Sequence, residues 1–264
     1  MSVKHDIHKK IYHVEVLTPK QNTEKLEDDL EKFTEKFNQV TEAGYVVCIT
    51  DNPMGNVSFQ ATDIIPELGL IPKPGQLSLH LNTFHTREDL HKLLDTAAGL
   101  GVKDILVISG DGNERLAKLQ PAQLGLTCNV VTSVELTAYI RKNWPGVFSI
   151  GVAFNPYEPQ DHELEKMHRK IEAGAEFICT QPVLGKDDRV LALAQFGLPV
   201  FIECWMSKKL HLLSECVGYT IPEDTPYDPM TNLKELQSIY QGQGMYLAML
   251  GYKTQFPLLK GFWT

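Results

Sequence analysis

The chain has 264 residues, 43% hydrophobic and 22% charged, with a formal net charge of −8. That length accommodates one α/β barrel or two small domains, and a core of that size needs no disulfide or metal staple. The acidic balance disfavours nucleic acid as the main partner, because a sequence-neutral binder needs a basic surface; a local pocket for an anionic small molecule stays open.

The opening MSVKHDIHKK lacks the apolar segment of a signal peptide. No later run approaches the roughly 20 apolar residues of a membrane span, so a cytoplasmic protein without membrane contact is expected. His5, His8 and His13 fall at what reads as a frayed end. A first strand is expected at 11–17, IYHVEVL. A helix follows over 22–43, with Leu26, Leu30, Phe33 and Phe37 forming an apolar stripe opposite the run Glu24, Glu27, Asp28, Asp29 and Glu31. The next strand is 45–50, and the proline-rich stretch 51–75 holds at most a short helix. Strands at 76–82, 104–109, 148–155, 177–183, 199–205 and 244–250 complete a series of eight. Most are apolar on both faces, as parallel strands under helices must be. The helices between them fall at 86–100, 131–143, 159–173, 186–195, 207–216 and 231–242. The 86–100 helix opens on a capping signature, Thr86-Arg87-Glu88-Asp89. The alternation predicts a (β/α)₈ barrel, one domain over residues 1–264. A doubly wound open sheet is the rival, against which stands the absence of G-x-G-x-x-G after the first strand. The cysteines, Cys48, Cys128, Cys179, Cys204 and Cys216, form no C-x-x-C. Cys48, Cys179 and Cys204 lie in apolar runs and read as reduced packing residues. No metal site is expected.

A barrel keeps its chemistry at the C-terminal strand ends. The chain has a polar group at nearly every such place: Glu15; Thr50-Asp51-Asn52; His80 and Asn82; Ser109-Gly110-Asp111; Asn155; Thr180-Gln181; and Glu203. Buried polar groups are costly unless paired or used. Each also has a structural reading. Glu15 pairs with a lysine at the barrel mouth, His80 is a satisfied core histidine, Asp111 caps its glycine turn, Glu203 is an interior ion-pair partner, and Lys170 is a solvated helix residue. Gln181 is harder to dismiss, since a buried amide needs partners. No P-loop and no G-x-S-x-G elbow occurs.

These strand ends resemble the methylenetetrahydrofolate reductase family, over about Val14 to Gly218. HVEVLTPKQ is similar to F-E-x-x-P-P-[KR], which implies a catalytic glutamate at Glu15. YVVCITDNPMGN resembles V-T-x-G-x-x, LSLHLNTFHTREDL the H-L-T strand, and DILVISGDG the L-R-G-D segment. MHRKIEAGAEFICTQPVL is similar to K-x-K-V-x-A-G-A-x-x-x-x-T-Q. The resemblance implies FAD contacts at Thr50, His80, Ser109, Gly110, Asn155 and Lys170, a folate contact at Gln181, and Asp111 between flavin and pterin as a catalytic and substrate-binding residue. Departures stand beside it. Ser109 replaces the family's arginine, Asn155 its tyrosine, TQPVL its T-Q-x-F-F, and GMYLAMLGYKTQF lacks Y-x-x-N-R.

The reaction so implied interconverts 5,10-methylene- and 5-methyl-tetrahydrofolate, hydride passing from NAD(P)H through non-covalent FAD. Glu15 would be the general acid that opens the imidazolidine ring. Two alternatives remain open: a flavin-free tetrahydrofolate methyltransferase working with a corrinoid protein, and a non-catalytic folate-site or electron-transfer partner subunit. A homo-oligomer is expected.

Overall fold

Each β-rich run becomes a parallel strand: β1 Tyr12–Val16, β2 Val46–Ile49, β3 Leu77–Leu81, β4 Asp104–Val107, β5 Ser149–Phe154, β6 Phe177–Pro182, β7 Val200–Trp205 and β8 Gly244–Ala248. The computed structural model describes residues 12–260. The opening MSVKHDIHKK, with His5 and His8, lies outside the described residues. Neighbouring strands pair in chain order and β8 pairs with β1, so the sheet closes into a barrel. Closure excludes the doubly wound alternative.

The helices are α1 Leu26–Glu42, α2 Ala61–Glu67, α3 Arg87–Gly99, α4 Ser133–Asn143, α5 Gln160–Glu172, α6 Asp188–Leu191, α7 Leu210–Val217, α8 Pro229–Ile239 and α9 Tyr252–Gln255. Capping chemistry sets several starts. The Thr86 hydroxyl accepts the Asp89 N–H at 3.1 Å, as the signature predicts. Thr132 and Glu135 form a capping box on α4. The apolar stripe of α1 begins one turn later than predicted: Phe33, Phe37 and Val40 are buried, while Leu26 is 38% exposed. In the proline-rich stretch 51–75 only α2 is an α-helix, with Pro66 inside it. The 186–195 helix is a single α-turn continued by a 3₁₀ segment, Ala192–Phe196.

Two packed layers follow from strand alternation. Outward side chains such as Val14, Ile49, Leu81 and Ile150 meet the helices. Inward ones form a separate cluster including Val46, Leu106, Phe177, Cys179, Phe201 and Tyr246. The Phe177 and Phe201 rings cross edge to face at 5.7 Å and fill the lower barrel. Two glycines make room for them. A Cβ on Gly151 would lie 2.0 Å from Phe177, and one on Gly244 would lie 2.3 Å from Phe201. His13 is not at a frayed end: it is buried in β1 with its ring 3.9 Å from that of Phe201. The base of the barrel is thus plugged, and access runs from the C-terminal strand ends.

Candidate functional site

Alternation along β1, β3, β7 and β8 turns Glu15, His80, Glu203 and Tyr246 to the barrel interior, above the phenylalanine plug. The Tyr246 hydroxyl donates to Glu15 Oε2 at 2.8 Å and lies 3.2 Å from His80 Nε2. Burial pushes the Glu15 carboxyl up from its ordinary value, and the bond from Tyr246 opposes that only partly. Burial pulls His80 down to about 4, against the attraction of Asp51. A neutral imidazole with its proton on Nε2 donates to the Tyr246 oxygen, which completes a chain His80–Tyr246–Glu15. Glu15 therefore has a tyrosine, not a lysine, as its partner. His80 is half-buried and hydrogen-bonded, facing the mouth.

Glu203 pairs across the sheet with Tyr246 at the backbone level. Its main-chain N–H donates to the Thr180 hydroxyl at 3.0 Å, yet among the described contacts its carboxyl bonds to nothing. The ion-pair reading is corrected: among the described residues no cation is paired with Glu203. Burial, then the nearby Glu15, hold its carboxyl well above the usual carboxylate range. Beside it, β6 carries a bulge. Cys179 pairs with Phe201 but Pro182 with Glu203, so Thr180 and Gln181 stand opposite Ile202 alone. Bulges re-aim side chains next to active sites. Gln181 is half-buried and its amide is unbonded among the described residues. Trp205, two residues after Glu203 on the same face, keeps a buried indole N–H with no partner.

A second network braces the mouth at β2 and β3. Asp51, 5% exposed, accepts from the Asn82 N–H at 2.8 Å, from the Asn52 and Gln60 amides at 3.0 and 3.2 Å, and meets His85 Nε2 at 2.7 Å. Asn52 sits in the left-handed region at φ 46°, held by the Ser58 N–H donating to its side-chain Oδ1 at 2.9 Å. The β4 turn presses onto this brace. Gly110 has φ +76°, and a Cβ there would lie 2.5 Å from the Asn82 side chain. The turn carries Ser109 and Asp111, both exposed. Among the described hydrogen bonds none uses the Asp111 carboxyl, so it does not cap its own turn. A groove of about 310 Å³, lined by Tyr157, Leu184, Asp187, Arg189 and Tyr219, adjoins the ends of β5 and β6. A larger one of about 1260 Å³ lies outside the barrel, between α1 and residues 250–260, away from these groups.

The positions matched to flavin contacts are not brought together as one receptive set. Thr50 offers a buried hydroxyl without a partner, which suits a ligand. Lys170 is not a solvated helix residue; it is 4% exposed, donating to the Ala153 carbonyl at 2.6 Å and standing 3.6 Å from Glu163. The Asn155 side chain accepts the Tyr157 N–H at 3.0 Å. His80 is engaged by Tyr246, and Ser109 carries no charge. A flavin dinucleotide brings a diphosphate, and this set has no cation free to meet it. These matched positions alone offer no charged partner for that diphosphate.

Sequence reasoning passed over Tyr246, which period-two alternation in GMYLA places on the interior face, and Trp205, legible the same way in VFIECW. His85 gave no signal, since only the fold brings it to Asp51.

Residues 2–193 match the sequence profile of the methylenetetrahydrofolate reductase family. No curated protein matches the chain. Among solved structures, an uncharacterized protein from Clostridium thermocellum that binds two copies of 5-methyl-5,6,7,8-tetrahydrofolic acid aligns at a TM-score of 0.64 and 13% identity, covering 97% of each chain. Xanthomonas albilineans dihydropteroate synthase aligns at 0.52 and 14%, covering 99% of this chain and 97% of its own. A 2,3-dimethylmalate lyase aligns at 0.53 and 9%, covering 97% and 80%. At such identities these likenesses are of fold.

Proposed function

The chain belongs to the methylenetetrahydrofolate reductase family, and from that premise we propose that it binds a reduced folate in the barrel mouth and acts on its one-carbon unit, with Glu15 as the acid. One observation carries this reading: a carboxyl raised by burial and held by the Tyr246 hydroxyl at 2.8 Å, at the strand-end position where the family's acid belongs. An acid whose burial raises its proton affinity can deliver that proton to a folate nitrogen as the one-carbon bridge opens or the methyl group leaves. Tyr246 orients the donor, and the neutral His80 orients Tyr246. Gln181 supplies donor and acceptor groups to the pterin, and Asp111 meets its exposed edge. Residues 1–264 act as one domain, in the cytoplasm.

The reaction implied by the family is interconversion of 5,10-methylene- and 5-methyl-tetrahydrofolate, with FAD as the hydride carrier. Because the matched positions alone offer its diphosphate no charged partner, no step is derived through FAD. That lack favours a second reading, flavin-free methyl transfer between tetrahydrofolate and a partner such as a corrinoid protein, which needs the same acid at the same nitrogen-rich ligand.

The test is an absorption spectrum of the purified protein with and without added FAD, followed by anaerobic titration with 5-methyltetrahydrofolate. Folate binding without a flavin band is expected. Flavin that binds and bleaches with folate would restore the reductase reading, and absence of folate binding would remove the folate site altogether. Glu15→Gln is expected to abolish turnover while the folate dissociation constant changes less than about threefold. Full activity in that variant would overturn the acid.

A further inference from the structure

Resting on the folate reading, we infer that Glu203 is a specificity residue of this site: as an uncharged acid it holds, together with Gln181, the lactam edge of the pterin, the ring N–H and its adjoining carbonyl. Three observations place it there. The β6 bulge brings Gln181 beside Glu203 along the sheet, with Pro182 as the backbone partner of Glu203 and the Val183 N–H donating to the Glu203 carbonyl at 2.9 Å. Neither side chain has a hydrogen-bond partner among the described residues, although Tyr246 on β8 bonds to Glu15 on β1 and meets His80 on β3. Finally, the carboxyl on the β4 turn, Asp111, is exposed, so the interior acid at pterin depth on this side of the mouth is Glu203.

The protonation state follows from what surrounds it. The titratable groups facing Glu203 are Glu15 on β1, Cys179 on β6, Cys204 on its own strand, Tyr246 on β8, Cys216 on α7 and Tyr157 after β5. All are acids. Of the imidazoles on the interior face, His80 is neutral, and His13 packs its ring on Phe201, two residues before Glu203 on the same strand face. An ionised Glu203 would face a second carboxyl with no paired cation among the described residues. A carboxylic acid offers one donor and one acceptor, which is the complement of a lactam. The amidine edge of the same ring presents two donors and would require the carboxylate. A glutamine side chain also offers a donor and an acceptor, and it therefore substitutes for the acid but not for the carboxylate.

Binding of 5-methyltetrahydrofolate to the full chain, measured by titration calorimetry in buffers of different ionisation heat, separates these cases. Glu203→Gln is expected to bind within about threefold of the unaltered protein, and Glu203→Met about tenfold or more weaker, the loss of paired hydrogen bonds. In the unaltered protein the heat should not depend on the buffer, because no proton leaves on binding. Buffer-dependent heat with proton release, or a Glu203→Gln variant as weak as Glu203→Met, would overturn the neutral-acid assignment in favour of a carboxylate on the amidine. Unimpaired binding by Glu203→Met would remove Glu203 from the site. If the unaltered protein binds no reduced folate, the folate reading fails and takes this inference with it. The buffer comparison needs no variant, so a substitution that fails to fold leaves the inference testable.

Discussion

Asp104 gives the sharpest test of the electrostatics. It opens β4 at the base of the barrel, 1% exposed, between Ser78 and Ser149 on the adjoining strands, and neither carboxyl oxygen has a hydrogen-bond partner. Burial, helped by Glu176 and opposed by Lys103, raises it from 3.8 to about 7. The folded state therefore binds this proton more tightly than the unfolded chain. Between roughly pH 4 and pH 7 folding takes up a proton, so the contribution of Asp104 to stability falls as pH rises through that window and is flat above it. About three units at 1.36 kcal/mol each makes the loss about 4 kcal/mol. Asp104→Asn removes the ionisation. The variant should match the unaltered protein within about 1 kcal/mol near pH 4 and exceed it by up to about 4 kcal/mol at pH 8. Urea unfolding followed by tryptophan fluorescence at pH 4, 6 and 8 reads the difference directly. Glu15 and Glu203 contribute with the same sign but cancel in the comparison. A stability difference that stays constant from pH 4 to 8 would refute the claim that the fold holds Asp104 protonated.

Tyr246→Phe removes the hydroxyl that lowers Glu15, so the pH limb of folate turnover that reports Glu15 should move to higher pH. A pH–rate profile identical to that of the unaltered protein would disconnect Tyr246 from the acid. Gly151→Ala forces a methyl into the Phe177 ring and should cost about 1–3 kcal/mol or more, seen as a lowered melting temperature. Asp51→Ala strands His85 and the donors on Asn82, Asn52 and Gln60, with an expected loss of about 3–5 kcal/mol in urea unfolding. A loss below about 1 kcal/mol would show that the brace is ornamental to stability.

The barrel was legible because its signals are local. Eight apolar runs at regular spacing need parallel crossovers, and the caps at Thr86 and Thr132 mark where helices begin. The interior face was legible in part. Glu15 and His80 announce themselves as polar residues in apolar strands, but the same alternation also selects Tyr246 and Trp205, whose rings read as ordinary core. What could not be read was commitment. Lys170 looks available in MHRKIEAGAEF, yet its ammonium is consumed by a backbone carbonyl seventeen residues away and by Glu163. Glu203 looked like half of an ion pair because a buried carboxyl is expected to have one; only the assembled barrel shows that the carboxyl acting on it is a second acid, Glu15.

This contrast bears on the chemistry. The acid chain Glu15–Tyr246–His80 is fixed by three strands of one closed sheet, and its geometry needs no loop and no helix to hold. Of the positions matched to flavin contacts, Lys170 on α5 and Asn155 after β5 have taken internal partners, Thr50 has none, and His80 belongs to the acid chain itself. Under the proposed reading, a buried acid beside a second one serves a reaction in which the folate nitrogen gains a proton as carbon leaves it. Both the reductase and the methyl-transfer readings meet that condition, so it is the internal partners of Lys170 and Asn155, rather than the acid, that separate the two proposals.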